Sequence, residues 1–534
     1  MTIDRRGFLG YAALGSALAL AKPLSAVAQS APSASPELEE ITIGELQDGM
    51  SSGRWTARAI AERYLGRIDA IDKHGPMVNS IIELNPEALA IADAMDRERK
   101  AGHVRGPLHG IPVLIKDNID TADRMATSAG SLALAENHAA RDAFVVARLR
   151  EAGAVLLGKT NLSEWANFRS THSTSGWSGR GGLTKNPYVL DRNACGSSSG
   201  TGSAIAANLA AVGIGTETDG SVVCPSSASG LVGIKPTLGL ISRAGIIPIA
   251  HSQDTSGPMA RTVRDAAILL GILTGADERD PVTVSSRTKG HADYTRFLDA
   301  DGLKGARIGV ARQYFGFNDA TDRLMKDAIA LIKSLGATIV DPANIATNGK
   351  FDATENDVLQ YEFKADINKY LANASASVKS RTLADLIKFN EDHRAEEMPY
   401  FGQEIFEQSE KRGPLSEKKY IAALAKNHRL ARTEGIDATV AKHKVDAIIA
   451  PTGGPVWATD LVNGDHFTGG YSSASAVAGY PHITVPAGMV FGLPVGLSFF
   501  AGAWSEPTLI KFAYAFEQAS KARQKPKFLA SLSS

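Results

Sequence analysis

The chain has 534 residues, with 57 Lys+Arg against 57 Asp+Glu, 44% hydrophobic and 21% charged residues, an ordinary globular mixture long enough to bury a large core. The balanced charge supplies no basic field for nucleic acid and no polybasic membrane patch. Two cysteines exclude a disulfide scaffold and any zinc site built on several thiolates.

The first 28 residues read as an export signal. Arg5 and Arg6 precede an apolar run from Phe8 to Ala21, and Ala26-Val27-Ala28 offers a small-residue cleavage site, a pattern similar to the twin-arginine type. The run is too short and too rich in Ala and Gly to anchor in a bilayer. Cleavage removes Asp4, Arg5, Arg6 and Lys22, leaving 54 basic and 56 acidic residues and a net charge of −2. The expected location is periplasmic or secreted, with no membrane contact after cleavage. Residues 29 to 40 read as a Pro/Ser linker.

From residue 41 the pattern turns helical. Thr56 to Lys73 repeats apolar positions at three- and four-residue spacing, and Asn85-Pro86-Glu87 opens a helix to about Lys100. Then GIPVLIKD (110 to 117), AVLLGKT (154 to 160) and AVGIGTETDG (211 to 220) form short apolar runs ending in polar or glycine-rich turns, as buried strands do. The helix-like DAFVVARLREAG (142 to 153) and SAIAANLA (203 to 210) lie between them, an α/β alternation. Residues 271 to 444 are mostly charged and helical, and DAIIAPTGG (446 to 454), HITVPAGMV (482 to 490) and LPVGLSFFA (493 to 501) return to strand texture. The reading is a single domain: a large mixed β-sheet flanked by helices, with core segments 41 to 270 and 445 to 534 and a helical insertion between them.

Two motifs mislead. Gly153 to Thr160 has P-loop spacing, but the residues that must form a phosphate loop, Ala154 to Leu157, are the strand itself. Ser416-Glu417-Lys418-Lys419 fits Ser-x-x-Lys but lies in a charged segment, where Ser416 reads as a helix N-cap. Gly196-x-Ser198-x-Gly200 satisfies a nucleophile elbow, the basis of an alternative esterase reading on Ser198. The polar, proline-bearing stretch before it is a poor strand, and His443, His466 and His482 carry no distinguishing context for a triad. No His-x-His or His-Glu-x-x-His pair occurs, so no metal and no cofactor is expected.

What remains is a constellation: a strand ending at Lys116, a Gly/Ser loop from Ser197, and, 24 residues on from Ser197, Ser221 closing the turn Thr218-Asp219-Gly220-Ser221. GIPVLIKD, CGSSSGTGSA (195 to 204) and GTETDGSVVCP (215 to 225) together resemble the amidase signature family, supported by residues 152 to 166, 230 to 248 and 254 to 267. The resemblance implies that Ser221 is the acylated nucleophile, Ser197 a bridging serine in a cis peptide linkage, and Lys116 the base. It implies an oxyanion hole from the backbone of Thr218, Asp219, Gly220 and Ser221. The chemistry agrees: serine needs a base within hydrogen-bond reach, and lysine is a base only when burial keeps it neutral. Ser198, Ser199 and Thr201 read either as supporting hydroxyls, with Ser198 beside the substrate, or as turn residues.

Many members of the family carry arginine two residues after the nucleophile, where this chain has Val223. The Val-Cys-Pro variant is similar to that of bacterial peptide amidases, which hydrolyse C-terminal peptide amides, and it favours a neutral amide. Cys195 and Cys224 flank the two serines and either bridge or remain small buried thiols. The expected function is hydrolysis of a linear carboxylic acid amide, either the C-terminal amide of a peptide or an aryl or acyl amide, through an acyl-enzyme on Ser221, by a monomer or homodimer. The alternatives are an amidotransferase component working with a partner, which the export signal opposes, and a non-catalytic binding protein, which the intact Lys-Ser-Ser set opposes.

Overall fold

The computed structural model describes residues 35–532, so the export signal expected over residues 1–28 lies outside the described residues. Thirteen strands occur among them: β1 (Ile81–Leu84), β2 (Pro112–Lys116), β3 (Val155–Thr160), β4 (Trp177–Ser178), β5 (Gly182–Leu183), β6 (Val212–Glu217), β7 (Val232–Lys235), β8 (Thr255–Ala260), β9 (Arg307–Val310), β10 (Thr338–Val340), β11 (Ala447–Pro451), β12 (His482–Val490) and β13 (Leu493–Phe500). β4 and β5 form a small ribbon, and the other eleven make one sheet in the order β1-β3-β2-β6-β8-β7-β12-β13-β11-β9-β10. The sheet is mixed: β3, β2 and β6 run parallel, β6, β8, β7, β12, β13 and β11 alternate antiparallel, and β11, β9 and β10 run parallel again. Every residue of β2, β3, β6, β7 and β8 is buried, which is why β2, β3 and the start of β6 read as apolar runs rather than alternating ones, whereas the short β7 and the small, polar β8 (TSGPMA) carry no such signal. The architecture is the expected large mixed sheet flanked by helices.

Three expectations change. The segment from 271 to 444 is not wholly helical, because β9 and β10 lie within it and join the main sheet beside β11. Residues 36–40 are not a free linker. Pro36–Leu38 form a 3-10 turn, Leu38 is fully buried in the main core, and Glu37 and Glu40 pair with Arg63 and Arg523 at 2.9 and 2.6 Å. One large apolar side chain backed by charged partners suffices to dock a short segment. Ser416 is not a cap either. The helix Lys418–His428 starts with Glu417 at the N-cap, and Glu417 instead accepts the Tyr361 hydroxyl at 2.6 Å. The P-loop-like Lys159 is fully buried within β3, its Nζ bonded to Ile119 O at 2.9 Å and Thr127 Oγ1 at 2.5 Å.

The helix Asp352–Ala372 carries the insertion back over the core. Its Phe363, Ile367 and Leu371 pack in one cluster with Trp165, Ile247 and Ile249. Buried Arg169 adds an ion pair to Glu164 and lies 3.6 Å from Glu397. The insertion thereby becomes one wall of the cavity described next. No helix among the described residues is long and apolar enough to cross a membrane.

Candidate active site

Lys116 is the last residue of β2. The β2/β6 register, with Ile115 opposite Ile214, brings its side chain alongside Thr216. Its Nζ lies 2.7 Å from Ser197 Oγ, 2.9 Å from Thr216 Oγ1 and 3.3 Å from Thr216 O, and Asn118 Nδ2 donates to the same Thr216 hydroxyl at 3.0 Å. The side chain is fully buried. Burial pushes the ammonium from its ordinary 10.5 down to about 7, against the opposing pull of Asp254 and Glu217. Each of its contacts suits a neutral amine, which keeps one lone pair free to accept a hydroxyl proton.

Ser197 follows a cis Gly196–Ser197 peptide bond, as the resemblance implied. The loop leads into the helix Ser199–Ala206, which starts earlier than the sequence suggested and whose eight residues are all buried. Its glycines serve close packing: a Cβ on Gly200 would stand 2.3 Å from Asn161 O. Ser198 does not line the cavity. It is fully buried, and its hydroxyl donates to Thr216 O at 3.1 Å and accepts Thr216 N at 3.2 Å, so it clamps the strand that supports Lys116. Thr201 does the same between Thr160 Oγ1 (2.8 Å) and Ile214 O (3.3 Å). Cys195 and Cys224 are joined in a disulfide, with 6.0 Å between their Cα atoms. The bridge thus ties the loop before Ser197 to the segment after Ser221.

The turn Thr218 to Ser221 follows β6. Glu217, whose side chain is buried, accepts the backbone N–H groups of Val222 at 2.8 Å and Val223 at 3.1 Å. Among the described residues, no protein acceptor takes the N–H of Thr218, Asp219, Gly220 or Ser221. Four successive unpaired amides beside a buried amine are unusual, because backbone donors in a protein interior are nearly always satisfied. The turn is held by its side chains. Thr218 Oγ1 donates to Asp254 Oδ1 at 2.6 Å and Ser473 Oγ to Asp219 Oδ2 at 2.6 Å. Gly220 has φ +78, a left-handed conformation that disfavours any side chain. Ser198 N donates to Ser221 O at 3.3 Å, which joins the two serine loops at the backbone. Among the described residues no hydrogen bond links the two hydroxyls of Ser197 and Ser221, and Ser221 keeps 9% exposure.

A cavity of about 490 Å3 opens on this group. Its wall includes Ser197, Thr216 and Thr218 but not Ser198, Asp219, Gly220 or Ser221, and Tyr370 of the insertion lies across from the core loops. Thr216, Glu217 and Asp254 escaped the sequence reading. The first two stand inside the motif GTETDGS, where position alone gives them no role. Asp254 is 36 residues from Thr218 and is assigned only by its contact. Burial raises its carboxyl to about 6, opposed by the Thr218 hydroxyl and the Ile249 and Ala250 amides. His251, Glu362 and Asp366 bring ligand-type atoms within 4.8 Å of one another. Each is already engaged: His251 Nδ1 lies 2.7 Å from Asp366 Oδ2, and Glu362 accepts Ser252 N at 2.9 Å and Tyr420 OH at 2.8 Å.

Such a fold and site define a hydrolase of carboxylic amides. The chain belongs to the Amidase family, which matches residues 59–510. It is similar to the native peptide amidase of Stenotrophomonas maltophilia, at 49% identity over 92% of this chain and 99% of that one, with a TM-score of 0.87. It is also similar to a probable amidase of Arabidopsis thaliana, 41% identical over 523 residues and 96% of each chain. A glutamyl-tRNA(Gln) amidotransferase component of Alkalilimnicola ehrlichii is 34% identical over 503 residues, 90% of this chain and 98% of that one.

Proposed function

We propose that the protein hydrolyses primary carboxamides, with the C-terminal amide of a peptide as the substrate class, through an acyl-enzyme on Ser221. The observation that carries this reading is the fully buried Lys116 amine, 2.7 Å from Ser197 Oγ, next to a turn with four unpaired N–H groups. Ser221 Oγ attacks the amide carbon while its proton passes to Ser197 Oγ and the Ser197 proton passes to Lys116 Nζ. The N–H groups of the turn receive the oxyanion, where preorganised donors contribute most. The tetrahedral adduct collapses, the C–N bond breaks, and the proton returns through Ser197 to the departing nitrogen, which leaves as ammonia. Water then attacks the ester by the same relay and releases the carboxylate. The serine pair closes on substrate binding, as catalytic hydrogen bonds commonly tighten only in the complex. Uncharged Val223 in place of arginine and the likeness to a bacterial peptide amidase support a neutral peptide amide.

The protein is exported before it acts. The Arg5-Arg6 signal supports the twin-arginine route, and the Cys195–Cys224 disulfide suits an oxidising compartment. Two experiments test these readings. Purified chain lacking residues 1–28, incubated alone with an amidated peptide, should release one ammonia per peptide acid formed. Ammonia release only with an added partner protein would assign it to the amidotransferase class. Replacing Arg5 and Arg6 by lysine should hold the precursor in the cytoplasm, and unchanged export would overturn the signal.

A further inference from the structure

Six carboxylates line the cavity, and five of them are held by a cation or by backbone amides, although the second oxygen of Glu217 has no partner among the described residues. Asp142 accepts Arg150 at 3.0 Å, Asp280 accepts Arg243 Nε at 2.9 Å, and Asp366 faces His251 at 2.7 Å. Glu217 and Asp254 each take two backbone N–H groups. Asp120 differs. Among the described residues it makes no ion pair and takes no backbone N–H. Its Oδ1 accepts the Tyr370 hydroxyl at 2.8 Å, and that hydroxyl accepts Asn137 Nδ2 at 3.0 Å. Asp120, Tyr370 and Asn137 all line the cavity that Ser197 and Thr218 share.

The arrangement is rigid. The Asp120 backbone is fixed by N to Gly245 O at 2.8 Å and by Ala143 N to its own O at 3.0 Å, and the asparagine-tyrosine chain aims the carboxylate. The Thr127 hydroxyl is a second side-chain hydrogen-bond partner of the carboxylate, and Lys159 and Arg279 attract it from a distance. Lys159 Nζ, however, is spent on Ile119 O and Thr127 Oγ1, and Arg279 pairs with Asp277 at 3.1 Å. Arg141 and Lys369, on the same cavity, are exposed and screened by water. A part-buried carboxylate with an incomplete set of partners is costly unless a ligand completes it.

We propose that Asp120, oriented by Tyr370, is a specificity subsite for a protonated amine of the substrate, so that the enzyme prefers short peptide amides that carry a free ammonium. This rests on the amide-hydrolase reading above. The ammonium arises from a free N-terminus or from a lysine side chain, and the carboxylate serves both. Its test uses binding to Ser221→Ala protein by calorimetry, which needs no turnover. Three dipeptide amides are compared: one with a free N-terminus and norleucine, one N-acetylated with lysine, and one N-acetylated with norleucine. At least one ammonium-bearing peptide should bind about tenfold or more tightly than the neutral one. Asp120→Asn in the same background should bring that ratio close to one. Tyr370→Phe, which keeps the ring and removes the orienting hydroxyl, should lower it severalfold and serves if the asparagine variant misfolds. Equal affinity for all three peptides, or an undiminished ratio in both variants, would overturn the subsite. If the preference holds while wild-type protein releases no ammonia from any of the three, it is the hydrolytic reading that has failed.

Discussion

As the base of the proposed relay, Lys116 should set the acid limit of activity, and the structure gives the position of that limit. The drop from 10.5 to about 7 on burial corresponds to roughly 5 kcal/mol in favour of the neutral amine. The sign follows from the mechanism: the neutral amine takes the serine proton, so binding one proton inactivates the enzyme, and activity falls as pH falls through about 7. With that midpoint the neutral fraction is about 90% at pH 8 and about 10% at pH 6. The assay is kcat/KM for an N-acetylated peptide amide, whose charge does not change in this range, measured by ammonia release from pH 5.5 to 9. It reports the free enzyme. Asp254 pulls the lysine pKa up, so Asp254→Asn should move the acid limb to lower pH. Lys116→Ala should lose about 10² to 10⁴-fold with a native circular dichroism spectrum. Lys116→Arg should fail as badly, because guanidinium does not release its proton. Near-normal turnover of Lys116→Arg, or a plateau unbroken to pH 5.5, would refute the assignment of the lysine as base.

A fluorophosphonate should label the peptide containing Ser221. Ser198→Ala should remain labelled there and lose only about 1 kcal/mol of stability, the worth of a typical buried hydrogen bond; label on Ser198 would restore the elbow reading. Gly220→Ala should cost about 10² to 10³-fold in kcat by displacing the oxyanion donors, since its φ of +78 disfavours a side chain and an added Cβ would stand 3.2 Å from Ser472 Oγ; a native rate would show that the turn is not the oxyanion site. Cys195→Ser with Cys224→Ser should lower stability by roughly 3 to 4 kcal/mol for a closed loop of this length, read as the thermal midpoint without reductant. The same variant should lower kcat, because the two serine loops lose their tie, and unchanged kcat would assign the bridge to stability alone.

By itself the sequence determined the elements whose signals are local. β2, β3 and β6 were legible because strands buried on both faces are largely apolar runs, and Lys116, Ser197 and Ser221 were singled out by the resemblance of three short motifs to the amidase signature family. Tertiary structure decided whatever depends on contacts between distant residues. β9 and β10 have four and three residues, too few to show a period within a charged helical stretch. Leu38 looked like part of a linker until a pocket in the core received it. Whether Cys195 and Cys224 bridge depends on how closely two loops approach, and spacing of 29 residues leaves that open. Ser198 matched a nucleophile motif, yet its hydroxyl is used up on the Thr216 backbone. Asp120 and Tyr370 are 250 residues apart and meet only because the insertion folds back over the core. Side chains on turns are placed by local sequence, whereas the cavity wall that holds Asp120 and Tyr370 is assembled by packing between distant segments and carries no pattern in either of them.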